Sequence, residues 1–210
     1  MQIRATSFVA AIACILMISG TAAAQNLLVN PGFESPAFAG AEAPGPGDGW
    51  SPFGANFRIQ GTPPIGPAGA HGGTVVLKVF GVSGSFQDFP AIEGETFDGE
   101  AWILNDSADP MANGQVAAVN IEWHGVGGQI SFISNGNTTA ASPQDVWTLQ
   151  TVSGVAPPGT TTARFVVITG DFLPGGSGGA PRFDDARFAR RGPVSVDPST
   201  FGSTKALYRD

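Results

Sequence analysis

Apolar and polar residues alternate with period two in short runs along most of this chain, and the runs end at clusters of Gly, Pro, Asn and Asp. That pattern predicts β-strands joined by turns. The runs are Asn26–Val29, Phe57–Ile59, Thr74–Val79, Gly84–Phe89, Thr96–Leu104, Gln115–Trp123, Ile130–Ile133, Trp147–Val155, Thr162–Thr169 and Pro181–Ala189. In the sixth run Val116, Ala118, Asn120 and Glu122 share one face, and Ala117, Val119, Ile121 and Trp123 the other. The second set is the apolar one, so Trp123 points where Val119 and Ile121 point. Trp102 and Leu104 share a face in the same way. No stretch between Gln25 and Ala189 carries a helical period, and no repeat of 20–50 residues suggests a solenoid or propeller. The Gly/Pro-rich stretches Pro36–Gly49, Gly61–Gly73 and Leu173–Pro181 read as loops. The expectation is an all-β sandwich forming a single domain.

The chain opens with Arg4, an apolar run from Phe8 to Ile18 and the small residues Ala22-Ala23-Ala24. This is the anatomy of a secretion signal cut after Ala24, giving 1–24 signal peptide, 25–189 domain and 190–210 linker and tail. Secretion or a periplasmic location is expected, without membrane insertion after cleavage. Cys14, the only cysteine, leaves with the leader, so the mature chain holds itself together without disulfides. Residues 25–189 carry 5 basic and 15 acidic side chains, a net charge of −10. That balance argues against nucleic acid and anionic membranes as partners and is compatible with neutral glycans and cations. The tail, ending Leu207-Tyr208-Arg209-Asp210, holds the only tyrosine.

Several pieces in order carry a family likeness: Asn26-Leu-Leu-Val-Asn-Pro-Gly-Phe-Glu34, Gly49-Trp50, Ala70-His-Gly-Gly-Thr-Val-Val-Leu-Lys78, Phe86-Gln-Asp-Phe-Pro-Ala-Ile-Glu-Gly-Glu-Thr-Phe97, Ala101-Trp-Ile-Leu104, the run from Trp147 to Thr160, and Phe183-Asp-Asp-Ala-Arg-Phe188. Together they resemble the carbohydrate-binding modules of families 4, 9 and 22, across nearly the whole mature body. The resemblance implies a galactose-binding-domain-like jelly-roll β-sandwich whose first and last strands lie side by side. It also implies a structural calcium held by Glu34 and Asp184, with main-chain carbonyls from the loop at His71 to Gly73 and Asp185 as the alternate ligand. Asp184 and Asp185 alternate to opposite faces of a strand, so one ion is expected to take only one of them. Without the ion, Glu34 reads as a turn cap and Asp184 as the partner of Arg182 or another arginine. The sequence departs from the family at His71-Gly72-Gly73, where His-Ser-Gly is common, and no catalytic domain is attached.

A sugar-binding cleft needs aromatic faces for C–H groups and short polar side chains for hydroxyls. Trp123 with Asn120, Glu122 and His124 offers that mixture, and so does Trp50 with Phe53 and Asn56. Trp123 remains open between core and ligand platform at this point. The family position of Trp50 is usually buried, and Trp102 and Trp147 sit in apolar strands that read as core. Catalytic chemistry has little support: two histidines, His71 and His124, lie far apart, and Glu93, Glu95, Asp98 and Glu100 cluster at a turn, which reads as solvated surface. The favoured function is non-catalytic binding of a polysaccharide or glycoconjugate. A structural or adhesive surface protein is the alternative, and a small glycan hydrolase or lyase the third reading.

Overall fold

The computed structural model describes residues 24–171 and 177–192. The leader apart from Ala24, and the tail beyond residue 192, lie outside the described residues. Eleven strands follow one another: β1 (Glu42–Pro44), β2 (Ser51–Gln60), β3 (Val75–Pro90), β4 (Thr96–Leu104), β5 (Ala112–Asn113), β6 (Gln115–Gly125), β7 (Gly128–Thr139), β8 (Thr148–Val155), β9 (Thr162–Asp171), β10 (Ser177–Gly178) and β11 (Arg182–Arg190). The hydrogen-bonded order is β7-β6-β9-β3-β11-β4-β8, with β2 beside β3, β1 beside β2, and β5 paired with β10 apart from the rest. All pairs are antiparallel.

One long strand joins the two layers of the sandwich. The start of β3 pairs with β11 at Leu77 and Lys78, and its end pairs with β9 from Ser83 to Pro90. The crossing lies at Gly81, with φ of 60°, opposite a register shift in β2 at Gly54, with φ of 67°. Both positions occupy the left-handed region that glycine enters without strain. The lower layer runs β3-β11-β4-β8 and the upper layer β3-β9-β6-β7, with β2 flanking β3 in both. Between them lies the core, from Leu77, Val79, Phe97, Ile103, Val119, Ile121, Trp123, Phe165, Val167, Phe183 and Phe188. Phe188 stacks on Phe97 at 5.1 Å and on Phe165 at 5.3 Å, linking the layers. Each buried phenylalanine contributes about 1.5–3 kcal/mol. The edge strands β7 and β8 meet through side chains: Asn135 Nδ2 donates to the Thr151 carbonyl at 2.8 Å and Gln150 Nε2 to Thr138 Oγ1 at 3.1 Å.

The outer face of the lower layer is roofed by loops. Ile59, Val76 and Ile65 form a small second core there, with Ala70 and Trp147 against it. Beside it Arg182 and Asp106, both fully buried, pair at 3.2 Å, and Arg182 also donates to the Ala180 carbonyl.

The jelly-roll sandwich is as expected, with differences in its elements. Asn26–Val29 lies along β11 without forming a ladder. Leu27 N donates to the Phe188 carbonyl at 2.7 Å, while Gln87 Oε1 and Nε2 take the main-chain N–H and carbonyl of Val29 at 3.0 and 2.8 Å. A side chain has replaced the neighbouring strand. The expected runs Thr74–Val79 and Gly84–Phe89 are one continuous strand, because Gly81 allows the crossing without a turn. The loop expected over Pro36–Gly49 contains β1, and β2 and β7 extend well beyond their apolar cores. Trp102 and Trp147, expected in the core, stand half-buried on the outer side of the lower layer. Their alternation decides this: Phe97, Ala101 and Ile103 face inward, so Trp102 faces out.

Candidate functional site

The outer face of the upper layer follows from the same alternation. Ala117, Val119, Ile121 and Trp123 of β6 point into the core, as do Ala163, Phe165 and Val167 of β9. The even-numbered residues of both strands therefore point out, and cross-strand register arranges them in rows. The first row is Ala118, Ile168, Gly84 and Phe53, on β6, β9, β3 and β2. The second is Ser134, Asn120, Val166, Phe86 and Ser51. The third is Phe132, Glu122, Arg164 and Asp88. The fourth is Gln129, His124, Thr162 and Pro90.

Charge is concentrated in the third and fourth rows. His124 Nε2 and Glu122 Oε2 lie 3.2 Å apart, both partly shielded from solvent. Arg164 holds Asp88 with two hydrogen bonds of 2.7 and 2.9 Å, and its guanidinium lies 3.7 Å above the Phe86 ring. The Asp88 bonds raise the Arg164 pKa above its usual value. In the second row Asn120 is 7% exposed, and its Oδ1 has no hydrogen-bond partner. A buried carbonyl oxygen left in that state costs about 1–3 kcal/mol. Beyond the fourth row an open hollow of about 450 Å³ continues over Pro90, Ile92, Thr160, Thr161 and Arg190.

Of the residues singled out in the sequence, Asn120, Glu122, His124 and Phe53 come together on this face. Three do not. Trp123 is 1% exposed, packs 5.9 Å from Phe97 and belongs to the core, because its parity is that of Val119 and Ile121. Trp50 is buried 5.0 Å from Phe33 and 6.3 Å from Phe165, with Nε1 donating to the Asn30 carbonyl at 3.0 Å. Asn56 is buried, its amide donating to the Phe53 carbonyl at 2.8 Å and accepting from Ser85 Oγ at 2.9 Å, so neither end is free for a ligand. Phe86, Asp88, Arg164 and Phe132 were not anticipated. Each strand shows their alternation, but only the fold's register brings them beside Glu122.

A second cluster joins the first segment, the 71–75 loop and β11. Glu34 Oε1 accepts the N–H groups of Thr74 and Val75 at 2.8 and 2.9 Å, and Oε2 accepts the Thr74 hydroxyl at 3.2 Å. Asp184 Oδ2 accepts the N–H groups of His71 and Gly72 at 2.9 and 3.1 Å. His71 Nδ1 meets Asp185 Oδ2 at 2.6 Å, and its ring stacks on Trp102 at 4.1 Å. The Asp184 and Asp185 carboxylates close around Gly32: a Cβ there would lie 3.4 Å from Asp185 Oδ1 and 3.7 Å from Asp184 Oδ1, with the Glu34 Cγ methylene at 3.9 Å.

Two expectations are corrected here. Asp184 and Asp185 do not diverge, because a register shift in β11 and a φ of 42° at Asp185 break the alternation. Arg182 does not pair with Asp184; it pairs with Asp106. Among the described residues neither Glu34 nor Asp184 makes an ion pair. Burial pushes the Asp184 carboxyl up to about 7, and the neighbouring Asp185 charge adds to the rise. Among the described residues no group of three His, Cys, Asp or Glu side chains is arranged to hold a metal by itself.

No family model matches the sequence, and no curated protein does. Solved structures do match in fold. A cyclase from Fischerella sp. TAU in complex with 4-(1H-indol-3-yl)butan-2-one superposes with a TM-score of 0.57 at 15% identity, over 80% of this chain and 98% of that one. A family 61 carbohydrate-binding module in complex with β-1,4-galactotriose superposes with a TM-score of 0.51 at 16% identity, over 80% and 99%. An arabinose-bound α-L-arabinofuranosidase gives 0.50 at 15% identity, over 79% of this chain and 26% of that one. The shared feature is the jelly-roll sandwich of carbohydrate-binding modules, a scaffold that also occurs within enzymes.

Proposed function

We propose that this chain is a secreted, non-catalytic protein that binds a neutral polysaccharide or glycoconjugate on the outer face of its upper layer. The observation that carries the reading is the polar set Asn120, Glu122 and His124 on one sheet face with Phe86 and Phe132 in the same rows. Sugar C–H groups would pack on Phe86, Phe53 and Phe132, and hydroxyls would donate to Glu122. Neutrality follows from the bases. Among the described residues Lys78, Arg164, Arg182, Arg190 and Arg191 are engaged with carboxylates and Arg58 with main-chain carbonyls. A uronate or sulfate would find no free arginine on this face, where Arg164 is held by Asp88. The non-catalytic reading is supported by Glu122 and Asp88, whose carboxylates are tied to His124 and Arg164. The fold shared with a galactotriose-bound module agrees with a glycan ligand.

A structural calcium at the Glu34–Asp184 cluster is part of the proposal. What supports the reading is that Asp184 is buried without an ion-pair partner among the described residues and has the Asp185 carboxylate beside it. Glu34, Asp184 and Asp185 would supply side-chain oxygens, and main-chain carbonyls the rest of the six to eight that calcium takes. The ion would contribute charge neutralisation and cross-linking where disulfides are lacking.

The reading is tested by pull-down of the mature chain on insoluble polysaccharides and on a glycan array. Retention that is lost in Asn120→Ala and Glu122→Ala, with unchanged melting, supports it. No retention on any glycan sinks it. The adhesive alternative then gains weight, since the edge strand β7 presents Ile130, Phe132 and Ile133 to solvent.

A further inference from the structure

The first described residues are fastened to β11. Asn26 Oδ1 accepts the N–H groups of Leu28 and Phe188 at 3.2 and 3.0 Å, and its Nδ2 donates to the Ala186 carbonyl at 3.1 Å. The residue before Asn26 therefore has a fixed place beside β11, and Arg187 reaches it: Nη2 donates to the Ala24 carbonyl at 2.8 Å. Two bonds of about 1.23 and 1.33 Å separate that oxygen from the Gln25 nitrogen, which thus lies within about 5.4 Å of Nη2. The Gln25 side chain is exposed. A cut after Ala24 removes the carbonyl that Arg187 holds and puts a charged α-amino group beside the guanidinium. Arg187 loses an acceptor and gains a like charge, and both changes are unfavourable. The carboxylates nearby are Asp98, which Arg191 holds, and Glu100, opposite Arg187 in register. Among the described residues Glu100 makes no ion pair, so two cations would face one unpaired carboxylate.

We infer that Gln25, once it is the first residue, closes to pyroglutamate, and that Arg187 holds the lactam carbonyl in place of the Ala24 carbonyl. The neutral Gln25 amine attacks its own side-chain Cδ and forms a C–N bond. The Cδ–Nε2 bond breaks, and the proton given up by the amine leaves with Nε2 as ammonia. No oxidant or further reactant enters. The product is again an amide on the same nitrogen, uncharged and with an oxygen for Arg187 to donate to. It rests on the secretion part of the proposed function and is independent of glycan binding.

The test is to produce the full chain with its leader in a secreting host and to take the intact mass of the exported protein, with fragmentation of its N-terminal peptide. The expected product begins at residue 25 and is lighter by one ammonia than the open chain. An open Gln25 that persists through prolonged incubation overturns the inference and leaves the secretion reading standing. A first residue other than Gln25 also overturns it, and retention of the leader removes the secretion reading as well. The part played by Arg187 is read by thermal melting. Gln25→Ala keeps the amine open and should melt about 2–4 °C below the cyclised wild type. In an Arg187→Met background, which has neither the charge nor the donor, the open and cyclised forms should melt together. Equal melting with Arg187 present, or an undiminished difference without it, overturns the grip assigned to this side chain.

Discussion

Asp184 and Asp185 are consecutive in β11, yet both carboxylates turn to the same loop, Asp184 to the N–H groups of His71 and Gly72 and Asp185 to the His71 ring. The positive φ of Asp185 makes this possible. Burial is what chiefly makes Asp184 protonate more easily, and the like charge of Asp185 on the same segment adds to it.

That relationship has a pH signature. The Asp184 carboxyl rises from 3.8 unfolded to about 7 folded, so the native state holds a proton that the unfolded chain releases. In chelator, stability therefore falls as pH rises from about 4 to about 7, and this contribution is flat outside that window. Asp184→Asn should flatten the limb in denaturant titrations at several pH values. Saturating calcium, which favours the carboxylate, should flatten it in the wild type. A wild-type profile that rises through this window in chelator contradicts the assignment.

Calcium should also raise the melting temperature, because an ion bound only by the folded state stabilises it by mass action. Glu34→Ala removes an acceptor from two main-chain N–H groups and one hydroxyl, a loss of about 2–4 kcal/mol. The variant should melt lower and no longer respond to calcium. Scanning calorimetry with calcium and with chelator reads both effects, and an undiminished calcium response would remove Glu34 from the site.

Trp123 and Asn120 should separate stability from binding. Trp123→Ala empties a fully enclosed position and should cost about 3–5 kcal/mol. Asn120→Ala removes an unpartnered carbonyl and should leave stability unchanged or slightly improved while weakening glycan retention. Urea denaturation beside affinity electrophoresis checks the pair.

The Arg182–Asp106 pair predicts an asymmetry. Asp106→Ala strands a guanidinium that already has an unpartnered Nη2, and should destabilise by about 3–5 kcal/mol. Replacing both partners, as Arg182→Met with Asp106→Leu, should recover much of that loss. Equilibrium unfolding of the single and double variants measures the difference.

The sequence made the sandwich legible because alternation is a local property. It assigned Ala117, Val119, Ile121 and Trp123 to the core face and Asn120 and Glu122 to the other. The same pattern placed Trp123 correctly, while the expectation that an aromatic beside His124 serves a sugar pointed the wrong way. Phe86, Arg164 and Asp88 were out of reach because their proximity to Glu122 depends on β3, β9 and β6 aligning across about 80 residues of chain. Trp102 was misplaced for a related reason: its ring stacks outward on His71, from a loop whose path no periodicity records. The convergence of Asp184 and Asp185 turned on one residue's φ.

The sharing of β3 between the two layers bears on how the molecule yields. In a sandwich of separate sheets, the halves part when side chains between them are prised apart, and each keeps its own ladder. Here one strand is stitched to β11 at one end and β9 at the other, so parting the halves means tearing the main-chain hydrogen bonds that tie that strand to one neighbour or the other. Tension applied across the domain would be met by shear along that strand, and the two halves should give way in one event.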